Sequence, residues 1–84
     1  MRYTINGSEW CFLCGSTAHD PHEGYGGRNR QLSIKYGLVV ALCRTCHRFV
    51  HNNPKSPQDL EIKELCRNKF ESENPDLDFI EVFK

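Results

Sequence analysis

Leu42-Cys43-Arg44-Thr45-Cys46-His47-Arg48-Phe49-Val50-His51 is the stretch that decides how this chain folds. Two residues between Cys43 and Cys46 let a single turn of backbone present both sulfurs to one ion. The turn runs into a helical pattern over residues 45–52, which Asn53-Pro54 stops. On that helix His47 and His51 are four apart, so both rings project from one face. Immediately upstream, residues 38–42 read Leu-Val-Val-Ala-Leu. This short apolar run with adjacent β-branched residues predicts a buried strand.

Working outward, Cys43-x-x-Cys46 has a mate in Cys11-x-x-Cys14. Zinc prefers four ligands in a tetrahedron, and two such knuckles about thirty residues apart predict one four-sulfur site of zinc-ribbon type. The size of the chain calls for such a staple. A domain of 84 residues buries only about 60–65% of its unfolded surface, and small cores need disulfides or metal. The five cysteines are an odd number, so they do not all pair within one chain. Met1 to Trp10 contains no apolar run of the signal-peptide kind, and no stretch approaches a membrane span. A reducing, cytoplasmic setting is therefore expected, where clustered cysteines bind metal. Cys43-Arg44-Thr45-Cys46-His47 also spells the c-type haem attachment pattern, but haem leaves Cys11 and Cys14 unexplained. Cys66 stands apart and is expected to be a small buried hydrophobe.

The remaining segments fall around this frame. Residues 1–10 form a lead-in expected to pair through Tyr3 and Ile5, with Trp10 covering the first knuckle. Residues 19–27 predict a short strand running into a glycine-rich loop, and residues 28–36 one or two helical turns that Gly37 ends in a left-handed exit. Ser56-Pro57-Gln58-Asp59 is a helix start: Ser caps, Pro takes the first helical position and Asp sits near the positive dipole end. Ile62, Leu65, Cys66 and Phe70 then follow on one apolar face, up to Asn74-Pro75. Leu77, Phe79, Ile80, Val82 and Phe83 form a docking tail, as strand or irregular clasp. The fold class is thus α+β in a single domain, with a zinc-stapled core at 11–54 and a C-terminal helix and tail at 55–84.

Formal net charge is zero, but its distribution is uneven. Residues 1–50 carry six basic and three acidic side chains, and residues 51–84 carry five basic and eight acidic ones. The basic half also holds the Cys/His cluster, which is compatible with phosphate contact. With four sulfurs assigned to zinc, His22, His47 and His51 are spare, and three converging histidines make a metal site with open positions.

At this point the chain resembles the HNH (ββα-metal) nucleases, especially small phage-type members with a Cys-x-x-Cys pair on each side of the active hairpin. The matching stretch is residues 11–54, about half the chain. It is densest at His22-Glu23, Gly26-Gly27-Arg28-Asn29-Arg30, Ser33-Ile34-Lys35-Tyr36-Gly37-Leu38 and the quoted segment from Leu42 to His51. The resemblance implies a β-hairpin and helix around one divalent ion and a metal-dependent endonuclease or nickase acting on DNA phosphodiester bonds. By position, His47 and His51 match the helix-borne ligands and His22 the strand-borne one, for Mg2+, Mn2+, Ni2+ or Zn2+. The following position, usually the general-base histidine, is Glu23. Either Glu23 is the base, or His22 is, with Glu23 or His19 helping to hold the ion. The family's central asparagine is missing from its usual place, which reads Tyr36-Gly37-Leu38, and Asn29 is the substitute within reach. Arg28, Arg30, Lys35, Arg44 and Arg48 are the expected contacts to the DNA backbone, which position without reading sequence. A phage or prophage origin and a phage or host helper protein are also implied. The rival reading is a zinc-ribbon-like module that binds nucleic acid or protein without cutting it.

Overall fold

Strand β2 (Val39–Leu42) is the spine of the molecule, and all four of its residues are buried. The computed structural model describes residues 4–7 and 9–83. Strand β1 (Asp20–Glu23) pairs antiparallel with β2, setting Asp20 opposite Leu42 and His22 opposite Val40. Pro21, which has no N–H, falls opposite Ala41. The polar groups of Ala41 are taken from the other edge. Its N–H donates to Asn6 Oδ1 at 2.8 Å, and its carbonyl accepts from Asn6 Nδ2 at 3.2 Å and Phe12 N–H at 2.9 Å. A single side-chain amide thus substitutes for a strand neighbour. Ile5 N–H adds a bond to the Val39 carbonyl at 2.7 Å, so the lead-in does pair at Ile5; Tyr3 lies outside the described residues.

Between the strands, a 3-10 turn (Gly27–Asn29) passes into helix α1 (Arg30–Lys35). Gly37, at φ +71°, closes α1 as the sequence predicts. Leu38 N–H donates to the Ser33 carbonyl at 2.8 Å and Gly37 N–H to that of Ile34 at 3.2 Å, the paired bonds of a Schellman cap. Helix α2 (Arg44–Asn52) begins at the second knuckle, with Cys43 as its N-cap. Helix α3 (Pro57–Glu73) starts under the Ser56 cap. Its residues Ile62, Cys66 and Phe70 are fully buried against Leu38, Val40 and Leu42.

The tail, open between strand and clasp in the sequence, forms a short helix α4 (Phe79–Val82) capped by Asp78. Phe79 and Phe83 stack with ring centroids 4.8 Å apart and both meet Phe70 and Tyr25. The helical turn sets these two rings one above the other on one face. Tyr25 ties the loop after β1 to α3 through its hydroxyl, which donates to the Lys63 carbonyl at 3.0 Å. The result is a small mixed α+β fold with a two-stranded sheet and four α-helices among the described residues. None of its described helices is long and apolar enough to cross a membrane.

Candidate metal centres

The first centre follows from strand pairing. Leu42 carries the ladder to the edge of the second knuckle, while Phe12 N–H, bonded to Ala41, draws the first knuckle to the same place. Cys11, Cys14, Cys43 and Cys46 consequently present sulfurs all within 4.8 Å of one another. Cys14 and Cys43 sulfurs are 3.6 Å apart. Tetrahedral zinc with Zn–S of about 2.3 Å sets its sulfurs about 3.8 Å apart, so the donors fit a structural metal ion such as zinc. Three of the four thiols are shifted towards the thiolate form and Cys46 away from it. The Cys46 N–H lowers the Cys43 thiol first of all, and the Ser16 hydroxyl does the same for Cys14. At Cys11 burial opposes ionisation, but the backbone N–H groups of Cys43, Cys14 and Leu13 outweigh it. Cys46 is pushed up by burial and then by its thiol neighbours. Trp10, expected over the first knuckle, is 59% exposed; its backbone pairs with Thr17, while Phe12 and Leu13 pack against the core.

The second centre lies next to the first along the chain and shares none of its residues. His22 points from β1, and His47 and His51 from one face of α2. Each offers a nitrogen within 4.8 Å of the others. His47 Nε2 and His51 Nε2 are 3.0 Å apart, and the His22 ring lies 5.3 Å from that of His47 and 5.4 Å from that of His51. His22 is only 8% exposed, and its Nε2 has no hydrogen-bond partner. Burial first, and then His47 and His51, push its pKa down to about 4, so the ring is neutral and a lone pair is available for coordination at neutral pH. A buried polar atom without a partner costs about 1–3 kcal/mol. One ring nitrogen of the same His22 belongs to the three-imidazole cluster.

No family model, curated protein or solved structure matches this chain. The site therefore rests on its own geometry.

The histidines open on a cleft of about 420 Å³ lined by His22, Glu23, Arg30, His51, Asp59 and Lys63 among others. Glu23 accepts a hydrogen bond from Arg30 Nε at 3.0 Å. From α3, which the sequence placed outside the site, Asp59 and Lys63 face each other at 2.5 Å. Asp59 is 4% exposed. Burial opposes its ionisation, but the Lys63 ammonium and the Lys55 N–H, 3.0 Å away, hold the carboxyl below its usual range.

The structure gathers His22, Glu23 and His51 in the cleft wall, and His47 joins them through the imidazole cluster. It does not gather His19, which is exposed and outside both clusters. Asn29 does not line the cleft, and its amide donates to the Phe83 carbonyl at 3.5 Å. Of the expected backbone contacts only Arg30 lines the cleft; Arg28, Lys35, Arg44 and Arg48 are exposed elsewhere, with Lys35 lying over the Tyr36 ring. The haem pattern is displaced by the cysteine cluster itself. Besides Asp59 and Lys63, Asp20 is absent from the sequence reading of the site: its Oδ2 lies 3.1 Å from His47 Nδ1. The signal was present as the i, i+2 spacing of Asp20 and His22, which puts both on one face of a strand.

Proposed function

We propose that this protein is a metal-dependent endonuclease of the HNH (ββα-metal) type, hydrolysing phosphodiester bonds in DNA, with zinc on the four cysteines and a second divalent ion on His22, His47 and His51. One observation carries the reading: three imidazoles from β1 and α2 converge beside a complete four-sulfur set without sharing a residue with it. Four thiolates fill the coordination of zinc, whereas three imidazoles leave positions open. When bound there, a divalent ion supplies Lewis-acid stabilisation of charge on the phosphoryl and leaving oxygens.

The chain's own residues supply the rest. His22, neutral and buried, holds the ion rather than moving protons. Glu23 borders the open cleft, and Arg30 orients its carboxylate, so Glu23 is the proton acceptor for the attacking water. The free N–H groups of Arg30 and the Lys63 ammonium face the same cleft and suit the oxygens of a phosphodiester. Arg28, Lys35, Arg44 and Arg48 lie outside the cleft, so any contact they make is to backbone away from the scissile phosphate.

The non-cutting zinc-ribbon-like reading is favoured by one observation, the engagement of Glu23 by Arg30. Plasmid incubation with Mg2+, Mn2+, Ni2+ or Zn2+ separates the two. The nuclease reading expects nicked or linear product, lost in His47→Ala although zinc content and fold persist. Glu23→Gln is expected to retain the second ion and lose about 10²- to 10⁴-fold in rate. Supercoiled plasmid left intact by folded protein under all four ions leaves the binding module as the function.

A further inference from the structure

Resting on the metal site just proposed, we infer that Asp20 is a positioning residue that selects the tautomer of His47 and thereby presets that ring as an Nε2 ligand. Asp20 Oδ2 stands 3.1 Å from His47 Nδ1, and both side chains are about three-quarters buried. A carboxylate oxygen accepts hydrogen bonds, so the contact pairs it with a proton on Nδ1. In the neutral ring the lone pair is then on Nε2. That atom faces His51 Nε2 at 3.0 Å and belongs to the cluster that includes His22.

The fold gives Asp20 little freedom to do otherwise. It lies opposite Leu42 in the sheet register, one residue before the knuckle, and His47 follows Cys46 directly. The same pairing that builds the cysteine cluster therefore fixes the distance between carboxylate and imidazole. Free imidazole has no such preset. Without Asp20, the Nε2–H form becomes accessible to His47 and points a proton where an ion must bind. Carboxylate partners of this kind are worth about 10- to 100-fold in metal affinity.

The test uses full-length protein loaded with one equivalent of zinc. Long-range 15N–1H correlation is expected to show His47 protonated at Nδ1 before any second ion is added, and Asp20→Ala to populate the Nε2–H form. Co2+ titration is expected to show the second equivalent binding about 10- to 100-fold more weakly in Asp20→Ala, with Asp20→Glu recovering part of the loss. Finding His47 protonated at Nε2 in the unmodified protein overturns the inference without reference to any variant. So does an Asp20→Ala protein of unchanged zinc content whose second-ion affinity is within twofold of the parent. If the unmodified protein binds no second ion at all, the metal-site reading itself fails, and this inference with it.

Discussion

Replacing His22 with leucine is expected to make the zinc-loaded protein more stable, not less. The imidazole is 8% exposed with an unpartnered Nε2, and leaving such a group unsatisfied costs about 1–3 kcal/mol. Leucine fills similar space and has no polar atom to orphan. At pH 7.5, with one zinc and no second ion, His22→Leu should therefore gain about 1–3 kcal/mol. In a domain of this size each kcal/mol moves Tm by about 4–8 °C. The gain should also depend on pH. Folding depresses the His22 pKa from 6.5 to about 4, so the unfolded chain binds the extra proton. The stability tied to the neutral ring is complete above pH 6.5 and erodes as pH falls from 6.5 towards 4. At pH 5 the parent has lost about 2 kcal/mol that the leucine variant never had at risk. Urea or thermal unfolding of both proteins at pH 7.5 and 5.0 measures this, because acid effects on the zinc thiolates are common to both. A leucine variant less stable than the parent by 1 kcal/mol at pH 7.5 would refute the reasoning, since it would mean that the imidazole has a structural partner.

Two further outcomes concern the scaffold. Cys43→Ser removes a sulfur that also caps α2, and structural zinc in small domains is worth roughly 10–16 kcal/mol; circular dichroism should show a largely unfolded chain at neutral pH with zinc present. Gly24→Ala drives a methyl into Cys66 Sγ and should cost about 1–3 kcal/mol, whereas Gly24→Ala/Cys66→Ala should unfold at a denaturant concentration above that expected from adding the two single changes.

Much of the scaffold was legible because metal spacing and periodicity are local signals. The apolar run at 38–42, the two knuckles, the Ser56 cap and the Gly37 exit each declare themselves within a few residues, and each stands where it was read. Cys66 is buried, as its helical face predicts, and burial pushes its thiol up to about 12. The misses are long-range. Asn6 reaches across 35 residues to Ala41, and no pattern in the lead-in marks an amide as a strand substitute. Adjacency to Cys11 says nothing of how much of the Trp10 indole is buried, and it is 59% exposed. Asp59 reads locally as a first-turn residue at an exposed helix start; its burial beside the cleft depends on where α3 docks, which Tyr25 and Phe70 settle. The tail was ambiguous because five apolar residues in seven satisfy a strand and a helical turn equally. For the histidines, i, i+4 spacing places His47 and His51 together, while the approach of His22 depends on register; the i, i+2 spacing links Asp20 to the face of His22, but its contact with His47 depends on that same register.

Metal stoichiometry is the most direct measurement. Zinc-loaded protein titrated with Co2+, with optical spectra and histidine resonances followed together, should take up a second equivalent that shifts His22, His47 and His51, leaves the four thiolates unchanged, and is lost in His51→Ala. Saturation of folded protein at a single equivalent, with no imidazole signal moving for any divalent ion, would contradict the existence of two separate centres.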